Sequence, residues 1–178
     1  MGLKVGLLRA VNVGGRKLPM SQLAVLCGEL GWAEVRTYIQ SGNLIFRAAG
    51  KAETLEADLE AAISDRFGIE VPVIVRSVEI RSAFVEANPF AEAAKDDPSR
   101  LQLLVSKRPP NADAAEKLME RAQDGESVKA AGGALWIHYP GGMARSKLTP
   151  ALIDRICGSP STARNWRTVT TLKAMAEG

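Results

Sequence analysis

Apolar and polar positions along this chain switch between two periods. Leu3 to Arg9 is a short apolar run that predicts a buried strand. A glycine-rich stretch, Asn12-Val13-Gly14-Gly15-Arg16-Lys17, follows it. Pro19 stands near a helix start with Ser21 as its candidate cap, and Leu23, Leu26, Cys27 and Leu30 recur at helical spacing up to Gly31. Val35 to Gln40 and Asn43 to Arg47 predict two strands joined at Ser41-Gly42. Leu55, Leu59, Ile63 and Phe67 form the apolar stripe of a second helix that Gly68 ends. Val71 to Arg76 predicts a strand, and Val78, Ile80, Phe84 and Val85 a helix that closes before Asn88-Pro89.

The second half repeats this order. Leu101 to Lys107, Ser127 to Ala131, Ala134 to Tyr139 and Thr162 to Arg167 predict strands. Ala112 to Ala122, Leu148 to Ile156 and Thr168 to Glu177 predict helices. A single shift of 91 residues maps Pro19 to Pro110, Gly42 to Gly133 and Arg76-Ser77-Val78 to Arg167-Thr168-Val169. The expected fold is therefore α+β: a tandem duplication of ferredoxin-like βαββαβ units, each followed by an extra helix. The expected organisation is a first subdomain over residues 1–90, a linker over 91–100 and a second subdomain over 101–178.

Composition narrows the class without changing this picture. The 178 residues are 46% hydrophobic and 24% charged, which is ordinary for a globular chain. Two cysteines and one histidine argue against a disulfide scaffold or a Cys/His zinc site, so no metal is expected. A net charge of +3 is mildly basic. No targeting segment or membrane-length apolar run is legible, and the expected location is the cytoplasm.

Four ordered motifs carry a resemblance: Leu7-Leu8-Arg9-Ala10-Val11-Asn12-Val13-Gly14-Gly15, Thr37-Tyr38-Ile39-Gln40-Ser41-Gly42-Asn43, Asn88-Pro89-Phe90, and Thr162-Ala163-Arg164-Asn165-Trp166-Arg167-Thr168-Val169. In these the chain resembles the bacterial family called domain of unknown function 1697, over essentially its whole length. One departure is Ala10, where that family usually has glycine. The resemblance implies paired ferredoxin-like subdomains and brings no established activity, cofactor or catalytic residue with it.

Candidate chemistry must then come from the residues. Gly14 and Gly15 let backbone N–H groups converge on an anion beside a helix N-terminus, with Arg9, Asn12 and Lys17 as neighbours. No Gly-Lys-Ser/Thr follows at the spacing of a nucleotide-binding loop. Strand alternation puts Arg36, Tyr38, Gln40, Asn43 and Arg47 on one face of the first hairpin, a polar platform with a stacking aromatic. Val35, Ile39, Leu44 and Phe46 are expected to face the helices. In the second hairpin Ser127, Lys129, Trp136 and His138 share a face, where an exposed Trp136 would stack on a base or sugar. His138 has no sequence pattern pairing it with a nucleophile.

Gly141 to Lys147 is a second glycine-containing basic loop, with Ser146 a candidate cap and Lys147 a candidate ligand. At the 91-residue shift Arg164 and Asn165 fall on Val73 and Ile74, so they are assigned to a ligand. Arg167, falling on Arg76, is assigned to structure.

The expected site gathers Arg9, Asn12, Gly14, Gly15, Lys17, Tyr38, Gln40, Asn43, Lys147, Arg164 and Asn165 in a cleft between the subdomains. Its expected ligand is a phosphate-bearing small molecule or single-stranded nucleic acid. Two other classes stay open: a small metal-independent enzyme using Arg and Lys to stabilise an anion, and a protein-interaction module anchored by Trp136 and Tyr38.

Overall fold

The computed structural model describes residues 1–178, apart from the side chain of Arg81. It is an α+β protein with two similar halves, each holding a four-stranded antiparallel sheet. In the first half the elements run β1 (Gly2–Leu8), α1 (Met20–Glu29), β2 (Ala33–Tyr38), β3 (Asn43–Ala48), α2 (Ala52–Phe67), β4 (Val73–Ser77) and α3 (Val78–Glu86). A short helix, α4 (Ala91–Asp96), follows in the stretch expected to be a linker. The second half runs β5 (Leu101–Ser106), α5 (Ala114–Met119), β6 (Ser127–Ala131), β7 (Ala134–His138), α6 (Pro150–Cys157), β8 (Ser161–Asn165) and α7 (Trp166–Glu177). The sheet orders are β2-β3-β1-β4 and β6-β7-β5-β8.

The chain forms two compact units, one of Met1–Arg81 with Leu172–Gly178 and one of Ser82–Thr171. Each has its own core on one face of its sheet. In the first unit Leu8, Leu23, Leu44, Phe46, Leu59 and Ile63 are buried together. Trp32 stacks on Phe46 there, with ring centroids 4.1 Å apart. In the second unit Leu104, Leu118, Leu135, Ile137 and Ile153 do the same. The alternation along β3 and β7 puts these residues inward, as the sequence pattern predicts.

The opposite sheet faces differ from expectation. Val5, Ile45 and Ile74 are no more than 1% exposed, and Trp136 is fully buried. Trp136 packs against Trp166 with centroids 5.7 Å apart. Trp136 therefore cannot stack on a ligand's base or sugar, and on the first hairpin Tyr38 is half-buried between the exposed Arg36 and Gln40. Ile39, expected to face the helices, is instead exposed with φ 47°.

Ladder register shows how the halves correspond. Val5 pairs with Arg76 across β1 and β4, and Leu103 pairs with Arg164 across β5 and β8. Gly6 pairs with Leu44 and Leu104 with Leu135. The offset between matching residues is thus 98 in the first strands (Val5 to Leu103), 91 in the hairpins (Leu44 to Leu135) and 88 in the last strands (Arg76 to Arg164). A single shift of 91 fails because the halves differ in length on both sides of the hairpin, by 7 residues before it (98 against 91) and by 3 after it (91 against 88). Gly42 and Gly133 do match, with φ of 83° and 84°. The prolines do not: Pro19 is the N-cap of α1, whereas Pro110 precedes the N-cap of α5, Asp113.

Carboxylates close one sheet edge in each half. Glu60 and Glu56 on α2 accept the N–H groups of Val73 and Val75 at 2.7 and 2.8 Å. Asp154 on α6 accepts the N–H and hydroxyl of Ser161 at 3.0 and 2.8 Å. These contacts occupy donors on β4 and β8 that an edge strand otherwise offers to another chain.

Candidate functional site

The loop after β1 is built from its two ends. Val11 and Leu18 are buried in the first core, at 2% and 0% exposure, and pin the loop to the unit. Between them Val13 to Lys17 are all exposed. Asn12, with φ 56°, locks the neck. Its N–H donates to the Arg16 carbonyl at 2.6 Å. Its side-chain oxygen accepts from Leu18 N–H at 2.9 Å, and its amide donates to the carbonyls of Leu18 and Gln40 at 3.0 and 2.7 Å. Every polar group of the Asn12 side chain is therefore used inside the fold, which makes Asn12 a brace rather than a ligand.

The β2–β3 turn is packed against this neck. A Cβ on Gly42 would lie 2.7 Å from Leu8 Cβ and 2.8 Å from Val11 Cγ2, at φ 83°, so only glycine fits. The Gly42 carbonyl accepts from Leu8 N–H at 2.8 Å. Asn43 is fully buried and donates to the Tyr38 carbonyl at 2.9 Å and Ser41 Oγ at 3.1 Å. Asn43 is thus also structural. Gln40 is exposed, and Tyr38 and Arg9 are half-buried.

What projects from this base is the tip Gly14-Gly15-Arg16-Lys17. Gly14 and Gly15 have φ of 56° and 83° and open space at their Cα atoms. Among the described residues their N–H groups donate to no acceptor, and the side chains of Arg16 and Lys17 have no hydrogen-bond or ion-pair partner. Helix α1 starts immediately afterwards with no side-chain cap on its N-terminal N–H groups, correcting the reading of Ser21 as its cap. Two unopposed cations and free backbone donors share one exposed segment that ends shortly before the start of α1.

The three candidates of the second unit divide. Arg164 is 8% exposed and donates to Thr162 Oγ1 at 2.7 Å and the Ala163 carbonyl at 2.8 Å. Burial lowers its pKa to about 10, which leaves it charged at neutral pH. Its counterpart Arg76 likewise donates to the preceding carbonyl, of Val75, at 2.6 Å and pairs with Glu56 at 3.2 Å. Asn165 Oδ1 accepts from Thr168 N–H at 2.9 Å and starts α7, as Ser77 Oγ accepts from Ile80 N–H at 3.3 Å to start α3. Arg164 and Asn165 are therefore matched in the first half, and both hold the fold. Arg167, assigned to structure from sequence, is exposed in the first turn of α7.

Lys147 is exposed and its side chain has no partner among the described residues. The neighbouring Ser146 is not a helix cap, since Thr149 caps α6. Ser146 donates instead to Glu126, a buried carboxylate that also accepts from the N–H groups of Gln123 and Asp124. Burial opposes the charge on Glu126, but the bonds from Ser146 and the backbone outweigh it and hold its pKa below the usual carboxylate value.

Sequence reasoning missed one pairing. His138 Nε2 lies 2.9 Å from Asp97 Oδ2. Their separation of 41 residues hides the pair from any local motif. Among the described residues no group of three or more His, Cys, Asp or Glu could hold a metal ion. Nor is any described helix long and apolar enough to cross a membrane.

No curated protein sequence matches this chain. Its structure is similar to that of the conserved bacterial protein SP0830 from Streptococcus pneumoniae, with a TM-score of 0.73 and 21% identity, covering 100% of this chain and 99% of that one. The family described as "Protein of unknown function (DUF1697)" matches residues 1–136, well over half of the sequence. On that match the chain belongs to the DUF1697 family.

Proposed function

We propose that the first unit binds a phosphate-bearing ligand through the loop tip Gly14-Gly15-Arg16-Lys17. One observation carries this reading: two unpartnered cations and two free glycine N–H groups stand at an uncapped helix start, on a neck braced by Asn12. A loop that served only as a connection would not need a brace made of three side-chain hydrogen bonds. Sequence placed the ligand on Asn12, Asn43, Arg164 and Asn165 as well. Their hydrogen bonds within the fold move the proposal onto Gly14, Gly15, Lys17 and the neighbouring Arg16. The full burial of Trp136 weighs against an extended single-stranded nucleic acid stacked on the second hairpin, and in favour of a compact anion.

Ancestry belongs to the same proposal. The common strand order, the matched Arg76 and Arg164, and the matched caps Ser77 and Asn165 support a duplicated ferredoxin-like βαββαβ unit.

The test is titration of the full chain with inorganic phosphate, a nucleoside monophosphate and a short oligonucleotide at low and high salt. Saturable binding is expected that weakens as salt rises. Lys17→Ala and Arg16→Ala each remove one charge-assisted bond and lower affinity about tenfold. Both residues are exposed, so melting temperatures should stay at the parent value. Binding that neither substitution changes, or no binding at all, ends the proposal.

A further inference from the structure

The second unit holds a groove of about 590 Å³ that the loop reading leaves unused. Its floor and walls come from two sources of opposite charge. The segment before and along α4 supplies Phe90, Glu92, Asp96 and Asp97, and the β6–β7 hairpin supplies Ser127, Lys129 and His138 from the same face as the buried Trp136. Strand register explains the second set: Ser127 pairs directly with His138, and Lys129 stands two residues on, on the same face. The Asn88-Pro89-Phe90 motif explains the first. Asn88 Oδ1 accepts from Phe90 N–H at 2.9 Å, which turns the chain and sets the Phe90 ring beneath Lys129 Nζ, 4.7 Å from the ring centroid.

Two ligand-facing groups are left with unused capacity. His138 Nε2 lies 2.9 Å from Asp97 Oδ2; a carboxylate can only accept, so in the neutral ring the proton sits on Nε2 and Nδ1 is an acceptor. Nδ1 has no partner among the described residues, and the Lys129 ammonium meets only the Phe90 ring. The hairpin wall therefore offers Nδ1 of the neutral His138 ring, the Lys129 ammonium and the Ser127 hydroxyl, and the α4 wall offers the carboxylates of Glu92 and Asp96. A simple anion would meet three carboxylates, and a simple cation would meet Lys129. A compound carrying both charges a few ångströms apart satisfies both walls.

We propose that this groove binds a small α-amino carboxylate as its zwitterion. The carboxylate is taken by Lys129 and Ser127. The ammonium donates to His138 Nδ1 and lies among Glu92 and Asp96. This site is independent of the loop in the first unit and stands or falls separately from it.

His138 is the only histidine in the chain, so its ring signals in an NMR spectrum report this groove alone. The full-length protein is titrated with each common L-amino acid up to about 10 mM, with acetate, methylammonium and inorganic phosphate as controls. At least one amino acid is expected to shift the His138 signals saturably, while acetate and methylammonium do not. Lys129→Ala and Asp97→Asn should each weaken that binding about tenfold, the value of one charge-assisted bond. Lys129 is exposed, so Lys129→Ala should melt with the parent, and Glu92→Gln with Asp96→Asn gives a second surface variant with the same expectation. Absence of saturable shifts with every amino acid overturns the proposal. So does an equal response to phosphate alone, or unchanged affinity in Lys129→Ala.

Discussion

A β-branched residue with positive φ is a costly choice, and Ile39 makes it at φ 47° while 48% exposed. The conformation is imposed by what flanks it. Gln40 must present its carbonyl to Asn12, and Gly42 must press on Leu8 and Val11. Nothing in the first core is gained by the isoleucine side chain itself, because it does not reach that core. Ile39→Asn should therefore stabilise the protein by ~0.5–1 kcal/mol, since asparagine tolerates the left-handed region. The measurement is a urea midpoint at constant m, and a midpoint at or below the parent's rejects the account. Ala10, with φ 53°, sits in the same left-handed region, which glycine enters without strain. That strain follows from backbone geometry, which a single sequence does not display.

At the scale of elements, period and punctuation located every strand and all the longer helices. Leu23, Leu26 and Cys27, or Leu135 and Ile137, fall inward because 3.6- and 2-residue periods leave no other buried face. Helix α4 escaped because its residues, Ala91–Asp96, bury nothing and so carry no stripe. Residue equivalence was the larger error. The Arg-Ser-Val and Arg-Thr-Val identities at one shift suggest a match, but the shorter stretch between β7 and β8 moves the last strand by 3 residues (an offset of 88 against 91), to Arg76 with Arg164. Roles invert as a result. Arg164→Ala removes a buried charge from Thr162 and the Ala163 carbonyl, and should cost ~1–3 kcal/mol. Arg167→Ala, on an exposed first turn, should stay within about 0.5 kcal/mol of the parent. Thermal melts of the two variants decide it: the structural assignment is wrong if Arg167→Ala is the one that melts early. Asn12, Asn43 and Asn165 are rich in polar groups in sequence, but only the folded chain shows that carbonyls take the amide N–H groups of Asn12 and Asn43 and that the Asn165 side-chain oxygen accepts from Thr168 N–H.

The whole molecule places one thiol in each compact unit, Cys27 in the first and Cys157 in the second, and buries both. Burial keeps the neutral form, raising Cys27 to about 12 and, with the nearby charge of Asp154 adding to burial, Cys157 to about 11. An unfolded thiol ionises near 8.5, so at pH 8 about a quarter of unfolded thiols are thiolate against roughly 1 in 10⁴ for folded Cys27. Access is blocked as well, since Cys27 and Cys157 are 0% and 1% exposed. A disulfide-exchange reagent at pH 8 should therefore leave both thiols unmodified in the native protein and titrate both in urea. Cys27→Ala and Cys157→Ala, each reporting on the remaining thiol, resolve the opening of each unit separately. The sign of the pH dependence follows from the same shifts. Folded pKa values are raised, so this contribution to stability is complete below about 8.5 and is lost as pH rises toward about 11 and 12. Urea midpoints should fall between pH 8 and pH 10, and fall less in the double alanine variant. A native protein whose thiols react as fast as those of the unfolded chain, or an alkaline limb indifferent to both substitutions, contradicts the burial from which this prediction is drawn.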